Sequence, residues 1–200
     1  MKLIVLVFLC ALAIAQQSFG PDGGNDYFLL KPGLRLHYAC GKEAVVSSVL
    51  NETEMVDGVR TRVIEDRETK NGKLTEITRD YYAFDAATKN VHYFGEDVDV
   101  YKNGKVTGHK GSWRSGRNGA KFGLMMPGEL KVGHKFQQEQ APGVAMDRAE
   151  IVSVNETVTT PAGTFRNCVH MKEVGEDKWY APGVGLVKDG KLVLVKIERP

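Results

Sequence analysis

From Tyr27 onward the chain is a succession of short alternating runs, each closed by a turn-forming pair. Leu34, Leu36, Tyr38 and Cys40 alternate with Arg35, His37 and Ala39, which puts the apolar set on one face of a strand. Asp57-Gly58, Asn71-Gly72, Asn103-Gly104 and Asp189-Gly190 carry the residues that a two-residue type I′ turn prefers, because both central positions need positive φ. They predict hairpins joining 45–55 to 59–65 and 62–70 to 74–84, and short strands at 91–94 and 98–101 that lead through Asn103-Gly104 to a return at 105–109. Further strands are predicted at 134–140, 145–158, 164–173, 177–181, 184–188 and 192–198. The last is apolar on both faces, through Leu192, Val193, Leu194, Val195 and Ile197, and is expected in the middle of a sheet rather than at a bare edge.

Helical periodicity is almost absent; Asp85–Lys89 reads as a loop between strands. Residues 111–133 form the most irregular stretch, with six glycines and Pro127 among Trp113, Phe122, Leu124, Met125 and Met126. An apolar loop of this kind is expected to fold over a sheet and form the lid or lip of any pocket, so these five side chains are the candidate ligand contacts. Ala141-Pro142-Gly143-Val144 recurs at Ala181-Pro182-Gly183-Val184, and Pro-Gly suits a type II turn with glycine at the positive-φ position. The predicted fold is all-β: a strongly curved antiparallel meander, half-barrel or nearly closed barrel, with little helix.

The N-terminus adds a compartment. Lys2, the apolar stretch from Leu3 to Leu12 and Ala13-Ile14-Ala15 have the layout of a cleavable signal peptide over 1–15, too short to span a bilayer. Residues 16–25 then read as a flexible lead-in and 26–200 as a single β domain, exported to a periplasm or secreted, with no membrane span. The formal charge of +2 over 200 residues, dispersed along the chain, gives no pull toward nucleic acid. Cys10 falls inside the leader. Cys40 and Cys168 remain, an even count that makes one disulfide a candidate in an oxidising compartment, with two buried free thiols as the alternative.

Candidate chemistry is sparse. His37, His92, His109, His134 and His170 are scattered, and His170 alone stands at chelating spacing from a cysteine, Cys168. Glu96, Asp97 and Asp99 form an acidic group without the repeated ligand spacing of a calcium loop, and read as a charged hairpin end. No metal site and no cofactor is therefore expected. There is no nucleophile elbow, zinc-protease motif or P-loop, so catalysis is not expected either; a carboxylate pair formed only in space is the one route left to a hydrolase. Asn51-Glu52-Thr53 and Asn155-Glu156-Thr157 are sequons that matter only in a glycosylating host.

Thr160-Pro161-Ala162-Gly163-Thr164-Phe165, then Trp179-Tyr180-Ala181-Pro182-Gly183-Val184-Gly185-Leu186-Val187, resembles a pattern in exported bacterial β proteins; Asp26-Tyr27-Phe28-Leu29-Leu30-Lys31-Pro32-Gly33 is similar to their opening. Those proteins look related in architecture to the half-barrel carriers of bacterial lipoproteins, whose curved sheet holds lipid on its concave side. The resemblance implies a non-catalytic extracytoplasmic binding module for an apolar or amphiphilic small molecule such as a lipid. The alternatives are a secreted or envelope scaffold with a filled core that binds another protein, and the hydrolase with an unrecognised carboxylate pair.

Overall fold

A computed structural model describes residues 19–200, so the leader expected at 1–15 lies outside the described residues. The described chain contains no helix. Its strands begin with three short pieces, β1 (Phe19–Gly20), β2 (Gly24–Asn25) and β3 (Phe28–Leu29). The meander follows: β4 (Arg35–Cys40), β5 (Glu43–Val56), β6 (Val59–Lys70), β7 (Lys73–Asp85), β8 (Val91–Lys102), β9 (Lys105–Gly108), β10 (Trp113–Arg114) and β11 (Lys121–Met126). The remainder is β12 (Lys135–Gln137), β13 (Glu139–Gln140), β14 (Arg148–Thr160), β15 (Gly163–Lys172), β16 (Asp177–Ala181), β17 (Gly185–Asp189) and β18 (Leu192–Glu198). Thirteen of them form one antiparallel path, β12-β14-β15-β16-β17-β18-β4-β5-β6-β7-β8-β11-β13, which curls into a nearly closed barrel with one unsealed seam. β18 lies between β17 and β4, the central place its two apolar faces predict.

Turn chemistry sets the register. Val56 pairs with Val59, Lys70 with Lys73 and Lys102 with Lys105, leaving Asp57-Gly58, Asn71-Gly72 and Asn103-Gly104 as two-residue loops with positive φ at both positions. The fourth predicted turn differs. Asp189 pairs with Leu192, so the loop is Gly190-Lys191, and only Gly190 has positive φ, at 52°. A glycine in the first loop position suits a II′ turn, and this one outweighs the Asp-Gly pairing one residue earlier. The two Ala-Pro-Gly-Val segments make matching turns: Val144 N–H donates to Ala141 O (3.0 Å) and Val184 N–H to Ala181 O (3.2 Å).

The seam lies at residues 135–140. β12 pairs only with β14 and β13 only with β11, so one segment crosses from one edge of the sheet to the other. Gln138 is the crossing point. It is 3% exposed, its backbone N–H donates to Asp147 O, and its Nε2 donates to Glu173 Oε1 at 3.0 Å. Its carbonyl passes so close to Gly123 that a Cβ there would lie 2.0 Å from Gln138 O.

Two expectations are revised by the packing. Residues 121–126 of the irregular segment are a wall strand, not a lid, because β8 offers an unpaired edge that satisfies their backbone groups. The cover comes instead from the supposed flexible lead-in. From Phe19 on it is packed: Phe19 stands edge-on to Phe94 and Phe122, and β2 and β3 form a separate hairpin over one end of the barrel. Asn25 Nδ2 bonds Lys89 O and Pro127 O, each at 3.1 Å, and Gly183 N–H donates to Asp26 O at 2.7 Å. Glycine and polar composition suggested mobility, but these residues use their polar groups to tie down the hairpin.

The candidate Cys40–Cys168 disulfide is not formed, and both thiols are free, Cys168 buried and Cys40 half-buried. β16, β17 and β18 stand between β15 and β4. Four interstrand steps of about 4.8 Å put the two cysteines far beyond the reach of an S–S bond.

Gly123→Ala is expected to lower stability by about 1–3 kcal/mol, because the methyl group meets backbone at the seam rather than a side chain able to move. Urea denaturation checks this, and an unchanged midpoint would show that the crossing tolerates the added volume.

Candidate functional site

Strand alternation sends one set of side chains into the barrel and the other outward. Tyr81 and Ala83 of β7, with Phe94 of β8, face out and are covered by Val56, Val63 and Phe19 in a separate apolar cluster. Burying a phenylalanine such as Phe94, 0% exposed, contributes roughly 1.5–3 kcal/mol. On the inner side Phe28, Tyr82, Tyr93 and Trp113 form an aromatic column. Phe28 and Tyr82 centroids are 4.8 Å apart, Tyr82 stacks on Tyr93 at 4.7 Å, and Trp113 meets Tyr93 edge-on at 5.3 Å.

Beside that column lies a cavity of about 760 Å³, open mouth included. Phe28, Leu29, Leu34, Leu36, Val49 and Val184 give it an apolar wall beneath the β2–β3 hairpin. Asp66, Asp80, Lys178 and Asp189, with Ser47 and tyrosines, give it a polar floor. Apolar and polar side chains thus both line it, as an amphiphile requires.

The floor holds more acid than base. Lys178 is the one cation lining the cavity among the described residues; its Nζ lies 2.7 Å from Glu173 Oε2 and 3.8 Å from Asp189 Oδ2. Burial alone would push the Lys178 ammonium pKa down, but Tyr180, Glu173 and Asp189 outweigh it and the net shift is upward, so the group stays charged. Asp80 is 7% exposed and accepts from the Tyr93 hydroxyl. Burial, reinforced by Asp66 and Glu96, holds its carboxyl well above the usual range. Burial also raises Asp66, while Ser47 and Lys178 oppose the rise. Asp189 is pushed to about 6, mainly by burial. Deeper along the wall, burial and then Glu139 raise Glu96 to about 8, and burial and then Asp147 raise Glu139 to about 7.

The five side chains expected at the pocket do not share one wall. Met125 alone lines the cavity, at a bulge in β11, with its Sδ 3.4 Å from Gln138 Nε2. Met126 is 0% exposed in the core, and Trp113 closes the far end of the aromatic column, its buried Nε1 without a partner among the described residues. Phe122 faces outward and stacks on Phe94 at 4.8 Å; Leu124, opposite His92, shares its face. The acidic group at 96–99 is dispersed: Glu96 points inward, Asp97 bonds Arg114 and Asp99 meets His109 at 2.8 Å. Cys168 is buried and bonds Phe165 O, while both His170 ring nitrogens face carboxylates, Glu156 at 3.1 Å and Asp177 at 2.8 Å. Among the described residues no cluster of ligating side chains suits a metal ion.

Sequence reasoning missed the acids of the floor. A signal was present in their phase: Asp80 shares a strand face with Tyr82 and Phe84, and Lys178 shares one with Tyr180. No protein family, curated protein or solved structure matches the chain.

The raised carboxyls give stability a direction with pH. Glu96 and Glu139 keep their protons in the folded chain at pH values where the unfolded chain, near 4.5, has lost them. Their contribution is full below about 4.5 and is lost as pH rises through about 7 to 8. The urea midpoint is expected to be higher near pH 5.5 than near pH 8.5, by roughly 1–3 kcal/mol of stability, with Glu96→Gln flattening the difference. A midpoint that rises over this interval contradicts the assignment.

Proposed function

We propose that the protein is a non-catalytic extracytoplasmic binding module that holds an amphiphilic small molecule inside the barrel. The observation that carries this reading is the cavity, with an apolar wall under the β2–β3 hairpin and a polar floor of Asp66, Asp80, Lys178 and Asp189. An aliphatic or aromatic tail fits against Leu34, Leu36 and Val49, and a polar head fits the floor. The signal-peptide pattern at 1–15 supports export, and the resemblance to half-barrel lipoprotein carriers supports a lipid-like ligand.

A scaffold with a filled core accords less well with a cavity lined by inward-facing side chains. The hydrolase alternative has a candidate pair in Glu96 and Glu139, but both are raised, to about 8 and about 7. Two-carboxylate hydrolysis needs one group protonated as acid and its partner ionised as base or nucleophile, and here the environments push both the same way.

Binding of N-phenyl-1-naphthylamine, followed by its fluorescence, tests the reading. The described cavity predicts saturable binding of one probe per chain, weakened about tenfold or more by Leu36→Trp, which fills the apolar wall. No saturable binding, or equal binding by the filled variant, would overturn it.

A further inference from the structure

The apolar wall accepts many tails, so the floor decides the head group. Asp66, Asp80 and Asp189 line it against a single ammonium, Lys178, and that ammonium already lies 2.7 Å from Glu173. Asp66 and Asp189 each bury an Oδ1 that has no hydrogen-bond partner among the described residues. Asp80, 7% exposed, has one oxygen engaged, by the Tyr93 hydroxyl. Buried acceptors without donors are uncommon in folded proteins and call for a donor. Asp66 pairs with Thr78 and Ile64 with Asp80, so the two acids are diagonal neighbours on adjacent strands, about 7–8 Å apart at the backbone. One small donor-rich group can reach both.

The head groups of simple amphiphiles differ sharply by this measure. A carboxylate or phosphate brings negative charge to a floor where burial and neighbouring acids already disfavour it. A hydroxyl brings one donor. A primary ammonium brings three donors, no acceptor and the opposite charge, so on its arrival the buried acids release their protons to solvent and accept from it. We propose, building on the amphiphile reading, that the ligand is a primary amine with an apolar tail, its ammonium seated between Asp66 and Asp80. Lys178 does not compete for the seat, because Glu173 and Asp189 hold it to one side. The tail runs back along Leu36 and Val49 toward Phe28 and the hairpin.

Displacement of N-phenyl-1-naphthylamine from the full chain at neutral pH by decylamine, decanol and decanoate separates the possibilities, since the three share one tail. Decylamine is expected to bind at least about tenfold more tightly than decanol, with decanoate weakest. Asp80→Asn, and independently Asp66→Asn, should compress the amine-to-alcohol ratio toward one. Decanol or decanoate binding as tightly as decylamine, or an amine preference that survives both substitutions, would overturn the head-group assignment while leaving the amphiphile reading standing. Failure of all three to displace the probe would instead remove the amphiphile reading itself.

Discussion

The crossing of Gln138 over Gly123 is the constraint on which the rest of the structure depends. A sheet that curls through thirteen strands ends with two edges facing each other, and their unpaired backbone groups must be satisfied or exposed. Here one segment serves both edges, pairing with β14 through 135–137 and with β11 through 139–140. The switch needs the backbone of 138 to pass where any β-carbon on residue 123 would stand, and glycine supplies the room. Gln138 then fixes the crossing from inside, with its side-chain amide on Met125 Sδ and Glu173 Oε1.

Closure determines the electrostatics. Once the seam is bridged and the β2–β3 hairpin covers one end, the inward carboxyls of β6, β7 and β8 lose most of their water. Burial is the largest influence on Asp66, Asp80, Glu96, Glu139 and Asp189, and it raises every one. A single lysine cannot neutralise so many groups, so the interior relieves its charge by keeping protons. Under the proposed role, a bound cation takes the place of those protons. A barrel interior filled with aliphatic side chains would be more stable, and under the proposed role the retained acids are a cost tolerated for binding.

Much of the fold was legible because it rests on short-range rules. Asp57-Gly58, Asn71-Gly72 and Asn103-Gly104 force positive φ on two consecutive residues and fix their hairpins, and the doubly apolar 192–198 strand had to be central. The fourth turn slipped by one residue because Gly190 alone satisfies a different two-residue turn. The lid was misplaced for a different reason. Residues 111–133 are glycine-rich and apolar, and composition does not reveal that β8 has a free edge for them to join; that is a property of the assembled sheet. Likewise the polar side chain of Asn25 reads as loop chemistry until Lys89 and Pro127 are brought beside it. The candidate site was the least legible part. Only Met125 of the expected contacts lines the cavity, and the acids of the floor come from three strands, β6, β7 and β17, and look, one at a time, like surface charges.

Burial inside the barrel is what raises its inner carboxyls in the unliganded chain, Glu96 and Asp80 most clearly. Carbon-13 NMR of the side-chain carboxyls of Asp80 and Glu96, followed across a pH titration of the folded chain, tests it directly. The account predicts that Glu96 titrates near 8 and that Asp80 stays protonated well above the range of an ordinary aspartate. Both groups titrating near 4, where exposed carboxyls do, would contradict it.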